Sequence, residues 1–205
     1  MKSRGFTLIE ILVSLAIFSV VAVIAIGALV RVTSANRQAQ AIQSGVNNVS
    51  FIIDTISREM RTGTFYNCST NPSFSAITFN GCSPALQTNN TGDTVIAFRS
   101  SNVDPQSLNC NLIYAYWFHI DQNTKNTTIS KAQQSSCNQS IANTDYYPVL
   151  SPNVNITDYS VGVFGGVKPK PYAWAFLRLK GYVGQRIQDQ SVFNVQTSIS
   201  ERISQ

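Results

Sequence analysis

Phe6-Thr7-Leu8-Ile9-Glu10-Ile11-Leu12-Val13 opens a run that stays apolar as far as Val30, and Glu10 is its only charge. The run exceeds the ~20 residues a helix needs to cross the hydrocarbon core of a bilayer. Lys2 and Arg4 stand directly before it, so the positive-inside rule puts that short end in the cytoplasm and the rest of the chain outside. Arg31 and Arg37 on the far side weaken the asymmetry without reversing it. Two ordinary readings compete. A secretory signal would use Ala25-Ile26-Gly27 before Ala28 as its small-residue cleavage site, but the apolar stretch ahead of it outruns the usual core of about 7–15 residues. A plain single-pass anchor fits the length. Neither accounts for Glu10, because a carboxylate inside a membrane segment is expensive and marks a functional position by default.

Gly5-Phe6-Thr7-Leu8-Ile9-Glu10, following a short basic leader and preceding a long apolar helix, closely resembles the class III signal of the type IV prepilin family. The resemblance implies that prepilin peptidase cuts between Gly5 and Phe6 and methylates the new Phe6 amine. Glu10 matches the glutamate that this family keeps near its mature amino terminus. Cleavage leaves a positive amine at the head of an apolar helix, and a charge buried away from water must be paired. The resemblance implies that Glu10 of one subunit meets the Phe6 amine of its neighbour. Such a pair would fix axial register, the best-attested use of buried polar pairs. Gly5 contributes a small residue and a permissive backbone at the cut.

The helix is expected to continue beyond the membrane. Between Arg31 and Arg61 there is no proline and one glycine, Gly45. Ile42, Val46, Val49, Ile53, Ile56 and Met60 recur at spacings of four and three, which is one apolar stripe. Asp54, Arg58, Glu59 and Arg61 fall mostly off it, and Gly63 reads as the stop. The stripe is expected to pack on the chain's own sheet, with a coiled-coil seam as the alternative. From Thr64 the texture changes to short apolar or alternating runs between Asn/Ser/Pro/Gly loops. Candidate strands are 76–79, 94–99, 112–120, 127–132, 154–163, 174–182 and 193–202, several with the period of two that marks half-buried strands. Gly162–Pro171 is the most loop-like late stretch, an exposed hairpin or subunit contact. The expected class is α+β, one long helix followed by an antiparallel sheet. The expected domains are a leader at 1–5, a membrane and filament-core helix at 6–30, its amphipathic continuation at 31–63, and a β-rich head outside the cytoplasm at 64–205.

Charged residues make up 12% of the chain, against about 25% in ordinary soluble domains. The formal charge is +5, and loss of Lys2 and Arg4 lowers it to +3, a weak argument for nucleic acid. The four cysteines, Cys68, Cys82, Cys110 and Cys137, all follow the apolar segment and none has CxxC spacing. An even count beyond a membrane segment reads as two disulfides in an oxidising compartment, rather than buried free thiols. Of three possible pairings, the sequence-neighbour one, Cys68–Cys82 with Cys110–Cys137, is the expectation.

No catalytic or cofactor motif is present. The single histidine, His119, falls on a candidate strand, and there is no phosphate loop or GxSxG. Asp93, Asp104, Asp121, Asp145 and Asp158 lack the spacing of a calcium loop, so neither metal nor cofactor is expected. Asn48, Asn126 and Asn155 open Asn-x-Ser/Thr triplets that read as accidents of composition. The last third gathers Lys168, Lys170, Arg178, Lys180, Arg186 and Arg202 among Tyr172, Trp174, Phe176 and Tyr182. That pattern suits single-stranded nucleic acid, but a strand with solvated cations and core aromatics is the favoured reading.

The resemblance is specific over about residues 1–35 and architectural beyond. Phe193–Arg202 resembles the terminal strand of W-type minor pilins and J-type pseudopilins. Major pilins usually have a proline partway along the membrane helix and often close their C-terminal region with a disulfide. Here there is no such proline, and no cysteine follows Cys137. Glu10 speaks against the tip pseudopilins that lack that glutamate. The resemblance therefore implies a minor pilin or minor pseudopilin, a structural and assembly-priming subunit rather than an enzyme. Its partners would be prepilin peptidase, other pilin or pseudopilin subunits and an inner-membrane assembly platform. The rival is a tip adhesin or DNA-uptake receptor using Ser100–Cys110 or Gly162–Pro171.

Overall fold

The computed structural model describes residues 5–73, 87–88, 92–104, 107–121, 126–135, 140–167, 170–184 and 190–200. Among the described residues one helix, α1 (Leu8–Arg61), is followed by nine strands: β1 (Thr64–Ser69), β2 (Gln87–Thr88), β3 (Thr94–Asp104), β4 (Ser107–Ile120), β5 (Thr127–Ser135), β6 (Tyr147–Pro148), β7 (Val154–Val167), β8 (Lys170–Val183) and β9 (Ser191–Ser200). All pairings are antiparallel, in the order β1-β3-β4-β5-β7-β8-β9. The expected α+β layout is what the chain adopts. It divides into two compact units, Met1–Ala41 and Ile42–Gln205.

In the first unit the helix is bare. Every large hydrophobic from Phe6 to Val32 is more than half exposed, and α1 is long and apolar enough to cross a membrane. Three of its hydroxyls bond back to the helix. Ser14 donates to the Glu10 carbonyl at 2.7 Å, Ser19 to Leu15 at 2.8 Å and Thr33 to Val30 at 2.9 Å. Such bonds satisfy the hydroxyls without water, as a helix that crosses a membrane requires.

In the second unit α1 covers one face of the sheet. Val49, Ile52, Ile53, Ile56 and Met60 bury against Ile96, Phe98, Tyr116, Phe118, Val161, Leu177 and Ile199. Each such side chain contributes roughly 1.5–3 kcal/mol by leaving water. The stripe therefore packs on the sheet, with its centre rotated from the expected one. Gly45 and Ile52 are buried, Ile42 is half-buried, and Val46 is 45% exposed. The cause is Gly45: a Cβ there would lie 1.9 Å from Val183 Cγ1 in β8, so the missing side chain sets which face turns inward. Asn48 lies half-buried beside this face, and its Oδ1 accepts from the Ser151 amide at 3.0 Å.

Strands β3, β4 and β5 are buried on both faces, not half-buried. Val95, Ala97, Ile113, Ala115 and Ala132 form a second cluster with Ile141, capped by Trp117 and Tyr146. The segment around 140–146 supplies this cover. It is tied to residues 72–73 by Tyr146 Oη donating to the Pro72 carbonyl at 3.0 Å and by Ser73 Oγ donating to Asn143 Oδ1 at 2.7 Å.

The sheet is nearly divided in the middle. Strands β5 and β7 share one residue pair, Thr127 with Ile156, before they splay. Beyond it β6 pairs with β5 and β2 with β7, so two short strands line the split. Strand β1 is irregular: its register shifts between Thr64 and Asn67, and Phe65 has φ 55°. The region 162–171 is a hairpin, with β7 running to Val167 and β8 starting at Lys170 around Gly165 at φ 84°. The candidate strand 76–79 lies outside the described residues. Gly63 ends the helix for a spatial reason, since a Cβ there would meet the Phe98 ring at 2.5 Å.

Candidate processing and assembly site

The residues singled out by the sequence lie at the start of α1. Residues 5–7 are not helical, and α1 begins at Leu8. The Gly5–Phe6 peptide bond therefore sits just ahead of the first turn. Nothing lies within 4 Å of where a Gly5 Cβ would be, and Phe6 is 79% exposed.

Thr7 and Glu10 close the helix end reciprocally. Thr7 Oγ1 accepts from the Glu10 amide at 3.4 Å, and Glu10 Oε2 accepts from the Thr7 amide at 3.4 Å. The Thr7 carbonyl accepts from the amides of Glu10 at 3.1 Å and Ile11 at 3.3 Å. This is a capping box, in which Thr-x-x-Glu satisfies two amides that the first turn leaves without partners. The sequence reading valued Glu10 for its charge and missed the box, although Thr7-Leu8-Ile9-Glu10 carries its signature. The carboxylate also sits where the helix dipole favours negative charge. One side chain can thus cap its own helix and, placed beside a second amine, exchange that amide for a stronger, charged partner.

The other candidates are separate from this site. Cys68 in β1 and Cys110 in β4 are disulfide-bonded, and no described cysteine is free. Cys82 and Cys137 lie outside the described residues. His119 faces Asp93, whose Oδ2 lies 2.8 Å from His119 Nδ1 and accepts from Trp117 Nε1 at 3.3 Å, while Oδ1 accepts from the Ile120 amide at 3.1 Å. That is a structural clasp at the start of β3. Asn126 Nδ2 donates to Asn155 Oδ1 at 3.0 Å. No group of three metal-ligating side chains occurs among the described residues.

On β8, Ala175, Leu177 and Leu179 are buried, and the residues between them turn outward. Trp174, Phe176, Arg178, Lys180 and Tyr182 therefore share the outer face. Arg178 is held by Asp158 at 2.8 Å, and Trp174 stacks on Phe164 at 4.3 Å between centroids. Lys168, Arg186 and Arg202 lie outside the described residues.

Residues 1–26 match the family model described as the prokaryotic N-terminal methylation motif. No curated protein and no solved structure matches the chain. The motif implies processing by prepilin peptidase and assembly with other pilins. It falls in register on the residues that cap and open the bare apolar helix, and over those residues the chain is similar to type IV prepilins.

Proposed function

We propose that this chain is a minor pilin or minor pseudopilin, a structural subunit of a type IV pilus or type II secretion-like filament. In this reading prepilin peptidase cuts between Gly5 and Phe6 and methylates the Phe6 amine. The apolar part of α1 anchors the subunit in the cytoplasmic membrane with the β-rich unit outside. An inner-membrane platform then draws it into the filament, where Glu10 neutralises the Phe6 amine of a neighbour. The observation that carries the reading is the position of Gly5–Phe6, non-helical and exposed, directly before the Thr7–Glu10 cap. Peptidases need an extended, accessible bond, and this one needs no unwinding of the helix. The disulfides, expected as Cys68–Cys82 and Cys110–Cys137, suit the same oxidising compartment.

The test is intact-mass and N-terminal peptide mass spectrometry of the chain from native membranes, for wild type and Glu10→Gln. The expected wild-type product starts at Phe6 with one added methyl. Glu10→Gln keeps the cap, because an amide oxygen still accepts from Thr7, and should still be cut while failing to enter filaments. A start at Met1 or near Ala28 would refute the proposal.

The outer face of β8 favours one rival, a DNA-uptake receptor, because it aligns aromatic and cationic side chains on one strand. Binding of single-stranded DNA that is lost in Trp174→Ala/Lys180→Ala would support it.

A further inference from the structure

Strand β9 ends the sheet. It pairs with β8 along its whole length, from Val183↔Ser191 to Trp174↔Ser200, and among the described residues no strand pairs with its other side. In an antiparallel pair, alternate residues aim their N–H and C=O groups away from the partner. The outer edge of β9 is therefore a ladder of unused donors and acceptors. Natural edges are blunted by lysine, proline, bulges or shortness. Strand β9 has none of these: Ser191–Ser200 contains no charged residue and no proline, and its register with β8 runs without a shift.

Beside this edge lies a cleft of about 740 Å³ between the last turns of α1 and the end of β9. Asp54, Arg58, Arg61 and Thr62 line it from the helix, with Thr197 and Ser200 from the strand. Asp54, Arg58 and Arg61 make no ion pair among the described residues, and the described residues that line the cleft sum to one positive charge. An open backbone ladder and two uncommitted guanidinium groups thus adjoin the same strand.

We propose that this edge and cleft receive an extended, acidic segment of a partner polypeptide, which adds to β9 as a further strand and sets a carboxylate against Arg58 and Arg61. Main-chain bonds along β9 would supply affinity, and the guanidinium groups would select the segment and its direction. The inference stands whether or not the chain is cut at Gly5.

The test uses the full chain in detergent micelles and amide hydrogen exchange read by mass spectrometry. The probe is a capped eight-residue peptide of alternating Thr and Val ending in two Asp, with a twin ending in two Lys. The acidic peptide should slow exchange across Ser191–Ser200 at least tenfold, and its twin should not. Arg58→Glu/Arg61→Glu, at two exposed positions, should reverse that preference and leave the far-ultraviolet circular dichroism unchanged. Any of four results overturns the proposal. They are no slowing in β9, equal slowing by both peptides, protection that rises with protein concentration alone, or binding seen only in a chain ended at Ser200. The third would assign the edge to a second copy, and the last would assign the cleft to the chain's own final residues.

Discussion

Gly45 and Val183 touch across the helix–sheet interface so closely that a Cβ on Gly45 would lie 1.9 Å from Val183 Cγ1 and 2.8 Å from Val183 Cβ. The valine cannot rotate its own Cβ away, so a side chain at position 45 must lift the helix from β8. Gly45→Ala gains about 1 kcal/mol in helix propensity but incurs overpacking of about 1–3 kcal/mol. The expected outcome is a melting midpoint lowered by roughly 2–6 °C, read by circular dichroism of the chain in micelles. Val183→Ala in the same chain should return part of the loss. An unchanged midpoint in the single variant would mean that the helix approaches less closely than described.

Glu59 joins α1 to the sheet by charge. Its Oε1 lies 2.5 Å from Lys131 Nζ, its Oε2 accepts from Tyr116 Oη at 2.5 Å, and the side chains of Glu59 and Lys131 are 17% and 11% exposed. Lys131 also lies 4.2 Å from the centre of the Tyr114 ring. Removing one partner of a buried pair leaves an uncompensated charge, at about 3 kcal/mol. Glu59→Gln keeps an acceptor for Tyr116 and isolates that effect, which urea denaturation measures. Adding Lys131→Met should restore most of the stability, since an apolar replacement removes the stranded charge.

Three tyrosines make the folded unit sensitive to alkali. Burial pushes the Tyr116 hydroxyl up most, and the charge and hydrogen bond of Glu59 add to it. Burial also raises Tyr146, with Asp145 adding to it, and Tyr159, where the Thr94 hydrogen bond opposes the rise in part. Below pH 10 these groups hold their protons folded or unfolded, so stability is full. Above it the unfolded chain releases protons that the folded chain retains, and stability falls as pH rises. Phenolate absorbance should show these three ionising only as the fold is lost. Early ionisation of all eight tyrosines, with the fold intact, would contradict their burial.

Asp93 anchors the Trp117, His119 and Ile120 end of β4. Asp93→Ala leaves the Trp117 and Ile120 N–H groups without an acceptor and should destabilise by about 2 kcal/mol. His119→Ala removes a side chain that is 39% exposed and should matter less. Urea midpoints of the two variants give the ranking, and the reverse order would make the histidine the organising group.

The helix and strands β3, β4, β5, β7, β8 and β9 were legible because each repeats a period over many residues. Leu8–Arg61 offers no proline, and β8 and β9 alternate cleanly. Strand β1 was missed because Thr64–Ser69 is irregular, with Phe65 in a conformation that disrupts alternation. Strands β2 and β6, two residues each, show no period at all. Burial of β3–β5 on both faces depends on a distant cover around Ile141 and Tyr146, which no local pattern announces. At the proposed processing site, Gly5, Phe6 and Glu10 stood out because a carboxylate breaks an apolar run. Thr7 did not, because a hydroxyl residue is ordinary until its geometry is known. Glu59 was read only as lying off the apolar stripe, since only the fold brings Lys131 and Tyr116 to it.

The single pairing of Thr127 with Ile156 makes the sheet two panels joined at a hinge-like seam. Backbone bonding holds each panel together but hardly crosses between them, so the joint is glued mainly by the side chains beneath it. Ile52, Ile56 and Met60 belong to the helix that underlies both panels, and they act as a keel. A substitution there would loosen the contact it touches and also let the panels part. Damage to the helix face should therefore spread across the sheet, whereas damage at the β1 or β9 edge should stay local.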